Sequence, residues 1–160
     1  MHIDRIETLN SNLTKVDNIN EGIISFSQDR IIFLNKLSTR LKGLTHNNVA
    51  RGLALYIKRI LKIDYKQKHP QPSYGVGIVV HYGPGNLPIN SIYSWISGFL
   101  SGNINIVRTS KNAIKEQYEV ISTISKLCLE NNYNDIFCTE IDSIQFATIT
   151  SKYSNARVIW

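Results

Sequence analysis

The feature that most constrains the fold is a run of β-branched residues bounded by glycine, YGVGIVVH, at residues 74–81. A run of this kind is typical of a strand that is buried on both faces of a parallel sheet. Helix-like and strand-like segments alternate after it: predicted helices at 88–101, from Ser110 onward and at 141–152, and predicted strands at 103–108, 135–139 and 156–160. The alternation predicts an α/β fold, an open and mostly parallel sheet with helices on both faces.

The chain before this run has a different pattern. Its first twenty residues are polar and show no clear period, whereas apolar residues at three- and four-residue steps predict helices over 23–41 and 48–62. Residues 64–73, DYKQKHPQPS, include two prolines and cannot continue a helix or a central strand. This stretch is therefore predicted to be a linker.

These patterns divide the chain into a helical N-terminal segment with its linker, 1–73, and an α/β part, 74–160. The chain stops at an apolar strand that ends in Trp160. Open α/β sheets bind their ligands at the carboxyl ends of the strands, where a further loop is expected. The second part is therefore predicted to be a truncated domain.

Composition narrows the class of protein and of partner. With 42% hydrophobic and 19% charged residues, the 160-residue chain has the balance of an ordinary soluble globular protein. Its net charge of +6 favours an anionic partner, and nucleic acid, an anionic membrane and a phosphate-bearing cofactor all fit that description. The positive charges form no run of five or more, so we do not predict a nucleic-acid function. No apolar run is long enough to span a membrane and no signal peptide is evident, so a cytoplasmic location is expected.

The cysteines and histidines do not form a recognisable metal site. Cys128 and Cys138 lie in apolar surroundings without metal-ligand spacing, and the four histidines are scattered along the chain. Both cysteines are therefore expected to be reduced, structural thiols.

Two turns at the predicted carboxyl ends of neighbouring strands form the candidate site. The first, GPGNLP, carries Asn86, which is either a turn-former or a carboxamide donor beside a helix N-terminus, where an oxyanion or a phosphate is stabilised. The second, RTSK, places Arg108 and Lys111 beside another helix N-terminus, which is chemistry suited to a phosphate. Ser110 is expected to cap that second helix.

The segments GVGIVVHYGPGNLP and SGFLSGNINIVRTSKNA resemble the cofactor-domain core of the aldehyde dehydrogenase superfamily. In that superfamily a strand ends in Gly-Pro-x-Asn-x-Pro, an apolar helix ends in Ala/Ser-Gly-Asn, and the next strand ends in Lys-Pro-Ser-Glu. His81, the Asn-Leu-Pro form of the turn and SGNINIVR are most similar to the acyl-CoA reductase branch, the fatty acid reductases of bacterial bioluminescence. The resemblance spans residues 74–160 and implies a Rossmann-like cofactor domain of the aldehyde dehydrogenase type.

The resemblance also implies roles for individual residues. Asn86 matches the asparagine whose side-chain amide helps to hold the substrate carbonyl oxygen as it becomes an oxyanion. Tyr82, Gly83 and Pro84 match the turn that runs along the nicotinamide ribose. Arg108 matches the lysine that binds the adenosine ribose.

Ser110 and Lys111 lie where the adenosine-ribose site of the family continues. Lys111 stands where NAD-preferring relatives carry a glutamate that accepts hydrogen bonds from the ribose hydroxyls. A base in place of that acid removes the repulsion of a 2′-phosphate, so NADPH is the expected cofactor. The resemblance implies an acyl-CoA or another acyl thioester as substrate, and a homo-oligomer or an acyl-transfer complex as the assembly.

One departure from the family pattern concerns the nucleophile. The family's catalytic cysteine lies in a second domain, and neither Cys128 nor Cys138 matches it. The sequence therefore fits two functions. The first is the N-terminal part of an NADPH-dependent acyl-CoA reductase that converts a fatty acyl thioester to an aldehyde, which the two intact turns favour. The second is a non-catalytic, truncated nucleotide-binding or interaction module, which the missing cysteine favours for these 160 residues.

Overall fold

The computed structural model describes residues 2–3, 6–16, 23–63, 71–84, 89–110, 114–139 and 141–159. The strands in these ranges are β1 His2–Ile3, β2 Ile78–Tyr82, β3 Ile104–Arg108, β4 Ile136–Cys138 and β5 Ala156–Ile159. The helices are α1 Ile6–Val16, α2 Gln28–Gly43, α3 Asn48–Leu61, α4 Asn90–Leu100, α5 Lys115–Glu130 and α6 Ser143–Thr150. All five strands pair in parallel, in the order β1-β4-β3-β2-β5.

Helices cover both faces of this sheet, which confirms the predicted α/β architecture. On one face, α2, α3, α4 and α5 share an apolar cluster with Val107 of β3 and Phe137 of β4. On the other face, α1 and α6 pack against the remaining strand residues, with Phe146 fully buried among them. Because side chains alternate along each strand, the strands contribute residues to two cores, one on each side of the sheet.

The strand order reverses at β2. The chain runs from β2 through α4 to β3 and through α5 to β4, always on the first face. It then crosses the second face in α6 and returns to β5, on the opposite side of β2. A reversal of this kind opens a crevice outside the carboxyl ends of the strands, where open α/β sheets bind ligands. The turn after β2 therefore lies where a ligand is expected.

The first twenty residues contain regular structure that their sequence pattern does not predict. The two-residue strand β1 extends the sheet beside β4, and α1 buries Leu9 and Leu13 completely. Two apolar residues one helical turn apart, in an otherwise polar stretch, are too short a pattern to indicate a helix. The N-terminal segment thus contributes to the same sheet, and the division of the chain at residue 73 stays a prediction.

Two predicted boundaries are wrong because the backbone turns sharply just before the element. The strand predicted from residue 74 begins at Ile78, after Gly77 with φ of 112°. The helix predicted from residue 23 begins at Gln28, after Phe26 with φ of 54°. A residue at positive φ interrupts both helical and extended backbone, so neither element can extend further toward the N-terminus.

A buried polar network lies between the sheet and α4. His81 Nδ1 lies 2.7 Å from Ser94 Oγ, and His81 Nε2 lies 3.0 Å from Asn105 Oδ1. Because the amide oxygen only accepts, Nε2 carries the proton, and in a neutral ring Nδ1 then accepts from Ser94. Burial lowers the pKa of His81, although its bond to Asn105 acts in the opposite direction, and this favours a neutral ring.

Asp135 is the acceptor at the other end of this network. Its Oδ1 accepts the backbone N–H of Asn105 at 2.7 Å, and its Oδ2 accepts Trp95 Nε1 at 2.7 Å. Burial raises the pKa of Asp135, while hydrogen bonds from Asn105 and Trp95 and the charge of Arg30 act in the opposite direction. The network therefore ties β2, β3, α4 and the residue that precedes β4 to one another.

Candidate cofactor site

Three strands end side by side at the carboxyl edge of the sheet. In the parallel register Tyr82 of β2 pairs with Arg108 of β3, which pairs with Cys138 of β4. Backbone bonds continue past the strands, since Gly83 N–H donates to Arg108 O at 3.1 Å and Thr109 N–H donates to Cys138 O at 2.9 Å. The two turns predicted to form the site therefore begin next to each other.

The first turn starts in close contact with α4. A Cβ atom on Gly83 would lie 2.8 Å from Ser91 Cβ and 3.1 Å from Arg108 O. A larger residue would have to displace α4 or β3, so this position requires glycine. Pro84 follows and is half-buried, whereas Asn86 lies outside the described residues.

The side chain of Tyr82 packs on α6. Its ring lies edge-on to Phe146, with centroids 5.3 Å apart, and its hydroxyl lies 3.3 Å from Thr150 Oγ1. Thr150 donates its own proton to the carbonyl of Phe146, so the Tyr82 hydroxyl is the donor in this pair. Tyr82 thus contributes its backbone to the turn, and its proposed place along the nicotinamide ribose stays a prediction.

A hydrogen bond from Nε holds the side chain of Arg108 in place. Nε donates to the carbonyl oxygen of Ile141 at 3.0 Å, and the side chain is half-buried at the carboxyl end of β3. Within the described part of the chain, the two terminal nitrogens make no hydrogen bond. A guanidinium held in this way presents its remaining donors as a planar fork, a geometry that suits a phosphate.

The second turn differs from its predicted form. Ser110 is buried but does not cap the next helix, because α5 begins only at Lys115. Instead, the side-chain oxygen of Gln117 accepts the N–H of Ile114 at 3.1 Å. The predicted capping role of Ser110 is therefore wrong, and Lys111, like Asn86, lies outside the described residues.

The loop after β4 also belongs to this edge of the sheet, and the sequence patterns did not identify it. Asp142 caps α6, since its Oδ1 accepts the N–H groups of Ile144 at 2.9 Å and Gln145 at 3.4 Å. An aspartate directly before a helix is a recognisable cap signal. Nothing in the sequence, however, relates Ile141 to Arg108, which is 33 positions away.

Neither cysteine is placed for covalent catalysis. Cys128 in α5 and Cys138 in β4 both have side chains without exposed surface. Burial is the main cause that raises the pKa of the Cys128 thiol, so that residue carries little of the thiolate that attacks a thioester. The expectation that both are structural thiols agrees with their place in the two apolar clusters.

We expect the native chain to resist thiol alkylation. Both thiols become reachable only through local or global opening, so their reaction with iodoacetamide should be slower than that of free cysteine by about 10² or more. In guanidinium chloride the same reagent should label both cysteines, as counted by mass spectrometry of the intact chain. A thiol that is labelled rapidly in native buffer would contradict its burial and restore a candidate nucleophile.

The fold is that of a Rossmann-like α/β domain in which the strand order reverses at β2. The chain is similar in fold to glyceraldehyde-3-phosphate dehydrogenase GapN from Methanocaldococcus jannaschii, whose structure is a complex with NADP, at a TM-score of 0.58 and 14% sequence identity. The alignment covers 96% of this chain and 40% of that chain. The likeness shows that the chain shares the fold of part of that dehydrogenase.

The family follows from the sequence itself. The acyl-CoA reductase (LuxC) family model matches residues 18–142, which is most of the chain, and the protein belongs to this family. No sequence among the curated proteins matches it. Within the described ranges, no helix combines the length and the apolar character needed to cross a membrane.

Proposed function

We propose that the chain is the cofactor-binding part of an NADPH-dependent acyl-CoA reductase, which converts a fatty acyl thioester to an aldehyde in the cytoplasm. Membership of the acyl-CoA reductase family supports the reaction class. The observation that carries the proposal is the juxtaposition of the two strand ends at which the turns begin: Gly83 and Arg108 are hydrogen-bonded neighbours at the reversal of strand order. This is the position at which an open α/β sheet binds a nucleotide.

The residues present fit such a cofactor. The fork of Arg108 has donors to spare among the described residues, and the chain carries a net charge of +6. We assign Arg108, Ser110 and Lys111 to the adenosine ribose and its 2′-phosphate, and the turn from Tyr82 to Pro84 to the nicotinamide ribose. NADPH, when bound, supplies the hydride for the reduction.

Asn86 is assigned to the substrate carbonyl. As a nucleophile adds to an acyl thioester, the carbonyl oxygen takes up negative charge, and a carboxamide N–H can stabilise that charge. Both cysteines of the chain are buried, so the thiolate of this reaction must come from outside these 160 residues. An acyl-transfer complex or a homo-oligomer is the assembly that we expect around such a site.

The burial of both cysteines also favours the second candidate, a nucleotide-binding module without catalysis of its own. Incubation with NADPH and a long-chain acyl-CoA, of the purified chain and of a complete form that carries the acyl-accepting thiol, separates the two functions. The reductase-part proposal expects NADPH binding without turnover, and turnover once the acyl-accepting thiol is provided by the rest of the enzyme. If the complete form also fails to oxidise NADPH with acyl-CoA, the function is that of the non-catalytic nucleotide-binding module.

The proposed 2′-phosphate contact predicts a preference for NADPH over NADH. A charge-assisted contact of this kind is worth about 1.5–3 kcal/mol, so wild type should bind NADPH roughly tenfold or more tightly. Lys111→Glu should remove most of that difference, whereas Lys115→Glu, the same charge change in the first turn of α5, should alter it much less. Fluorescence titration of the purified chain with each nucleotide measures the ratio, and equal affinities in wild type would contradict the assignment.

A further inference from the structure

The orientation of Arg108 depends on the residue that accepts its Nε proton. That acceptor is the backbone carbonyl of Ile141, whose own side chain is 3% exposed in the apolar cluster under α6. A carbonyl anchored by a buried side chain has little freedom to move. The direction of the Arg108 fork is therefore set by the loop between β4 and α6.

Asp142 fixes the other end of that loop. Its side chain accepts two N–H groups from the first turn of α6, and its backbone carbonyl accepts Phe146 N–H at 2.9 Å. The residue has φ of −57° and ψ of 148°, the extended backbone that suits an N-cap. The cap thus holds the peptide that joins Ile141 to the helix.

Asp142 also brings a negative charge next to the peptide that holds Arg108, since it directly follows Ile141 in the chain. Hydrogen bonds from the amides of Ile144 and Gln145 are the main causes that lower the pKa of Asp142, and the charge of Arg108 lowers it further. Asp142 is exposed, and it is ionised at neutral pH. A carboxylate in this place opposes a second anion, such as a phosphate, on the same guanidinium.

We propose that Asp142 is a specificity-determining and positioning residue for the cofactor: its cap aims the Arg108 fork through Ile141, and its charge limits how strongly that fork discriminates between phosphorylated and unphosphorylated riboses. The inference rests on the proposed function, because it assumes that a nucleotide binds at Arg108. It goes further in assigning part of the cofactor preference to a residue outside both turns.

Two substitutions separate the cap from the charge. Asp142→Asn keeps a good N-cap and removes the charge, so the ratio of NADH to NADPH dissociation constants should rise about 3- to 10-fold. Asp142→Ala removes the cap and the charge together. Its melting temperature should therefore fall by about 2–4 °C, and its ratio of NADH to NADPH dissociation constants should stay below that of Asp142→Asn. The matched control is Glu130→Gln, which makes the same change in net charge at the far end of α5, where Glu130 pairs with Arg40.

The experiment is a fluorescence titration of the purified chain and its three variants with NADPH and with NADH, at two salt concentrations. The charge effect should shrink at the higher salt, and Glu130→Gln should leave the ratio unchanged. If wild type binds NADPH but Asp142→Asn leaves the ratio within twofold, or if Asp142→Ala raises it equally, this inference is overturned and the proposed function stands. If wild type binds neither nucleotide, both this inference and the proposed function are contradicted.

Discussion

Replacing Asp135 with alanine is expected to lower the free energy of unfolding by about 3–5 kcal/mol. The carboxylate accepts Trp95 Nε1 and the N–H of Asn105, both at 2.7 Å, and it is 2% exposed. Alanine would leave both donors without an acceptor in the interior, and it would remove the carboxylate that attracts the buried guanidinium of Arg30. An unsatisfied buried donor costs more than a made hydrogen bond gains, so the loss should exceed that of an ordinary surface substitution several-fold.

Urea unfolding of the purified chain, followed by tryptophan fluorescence and circular dichroism, measures this loss. Asp29→Ala is the matched control, because Asp29 is exposed in the first turn of α2 and should cost well under 1 kcal/mol. Asp135→Asn should fall between the two, since one amide oxygen can still accept while the amide nitrogen faces a donor. An Asp135→Ala protein as stable as the control would mean that the network does not support the fold.

The network shows what the sequence pattern could predict and what it could not. The alternation of β-branched strands with amphipathic helices predicts the parallel sheet and its two helical layers, since burial on both faces imposes that composition. His81 and Asn105 interrupt this apolar pattern within β2 and β3. That their side chains meet under α4 depends on the register of the two strands, which local sequence does not encode.

The same limit applies to the candidate site. The motifs predict two turns as the candidate site, and the register places the strand ends at which those turns begin side by side, as Gly83 and Arg108 show. The contact between Arg108 and Ile141 joins elements that are distant in the chain, so only the fold brings it about. The short α1, by contrast, escapes prediction because its stability comes from tertiary packing of Leu9 and Leu13 and not from its own periodicity.

Replacing Asn86 with alanine is expected to lower kcat for acyl-CoA reduction by about 10²–10³, in a form of the enzyme that carries the acyl-accepting thiol. The proposed amide contact strengthens as charge develops on the carbonyl oxygen, so the rate should fall far more than KM rises. If Asn86 only shapes the turn, the same substitution should cost about 1 kcal/mol of stability and leave the rate nearly intact. The two roles therefore predict losses in different measurements.

Single-turnover acylation and NADPH oxidation, measured beside a thermal melt, distinguish them. Asn90→Ala removes the same side-chain amide at the first residue of α4, four positions further along, and serves as the matched control. Asn86→Asp adds a second comparison, because it keeps the turn-forming shape but replaces the donor with an acceptor that repels an oxyanion. Slow chemistry in both Asn86 variants, with an unchanged melt and a normal Asn90→Ala protein, is the pattern expected of an oxyanion donor. An Asn86→Ala enzyme within a few-fold of wild type in both steps would assign the residue to the turn alone.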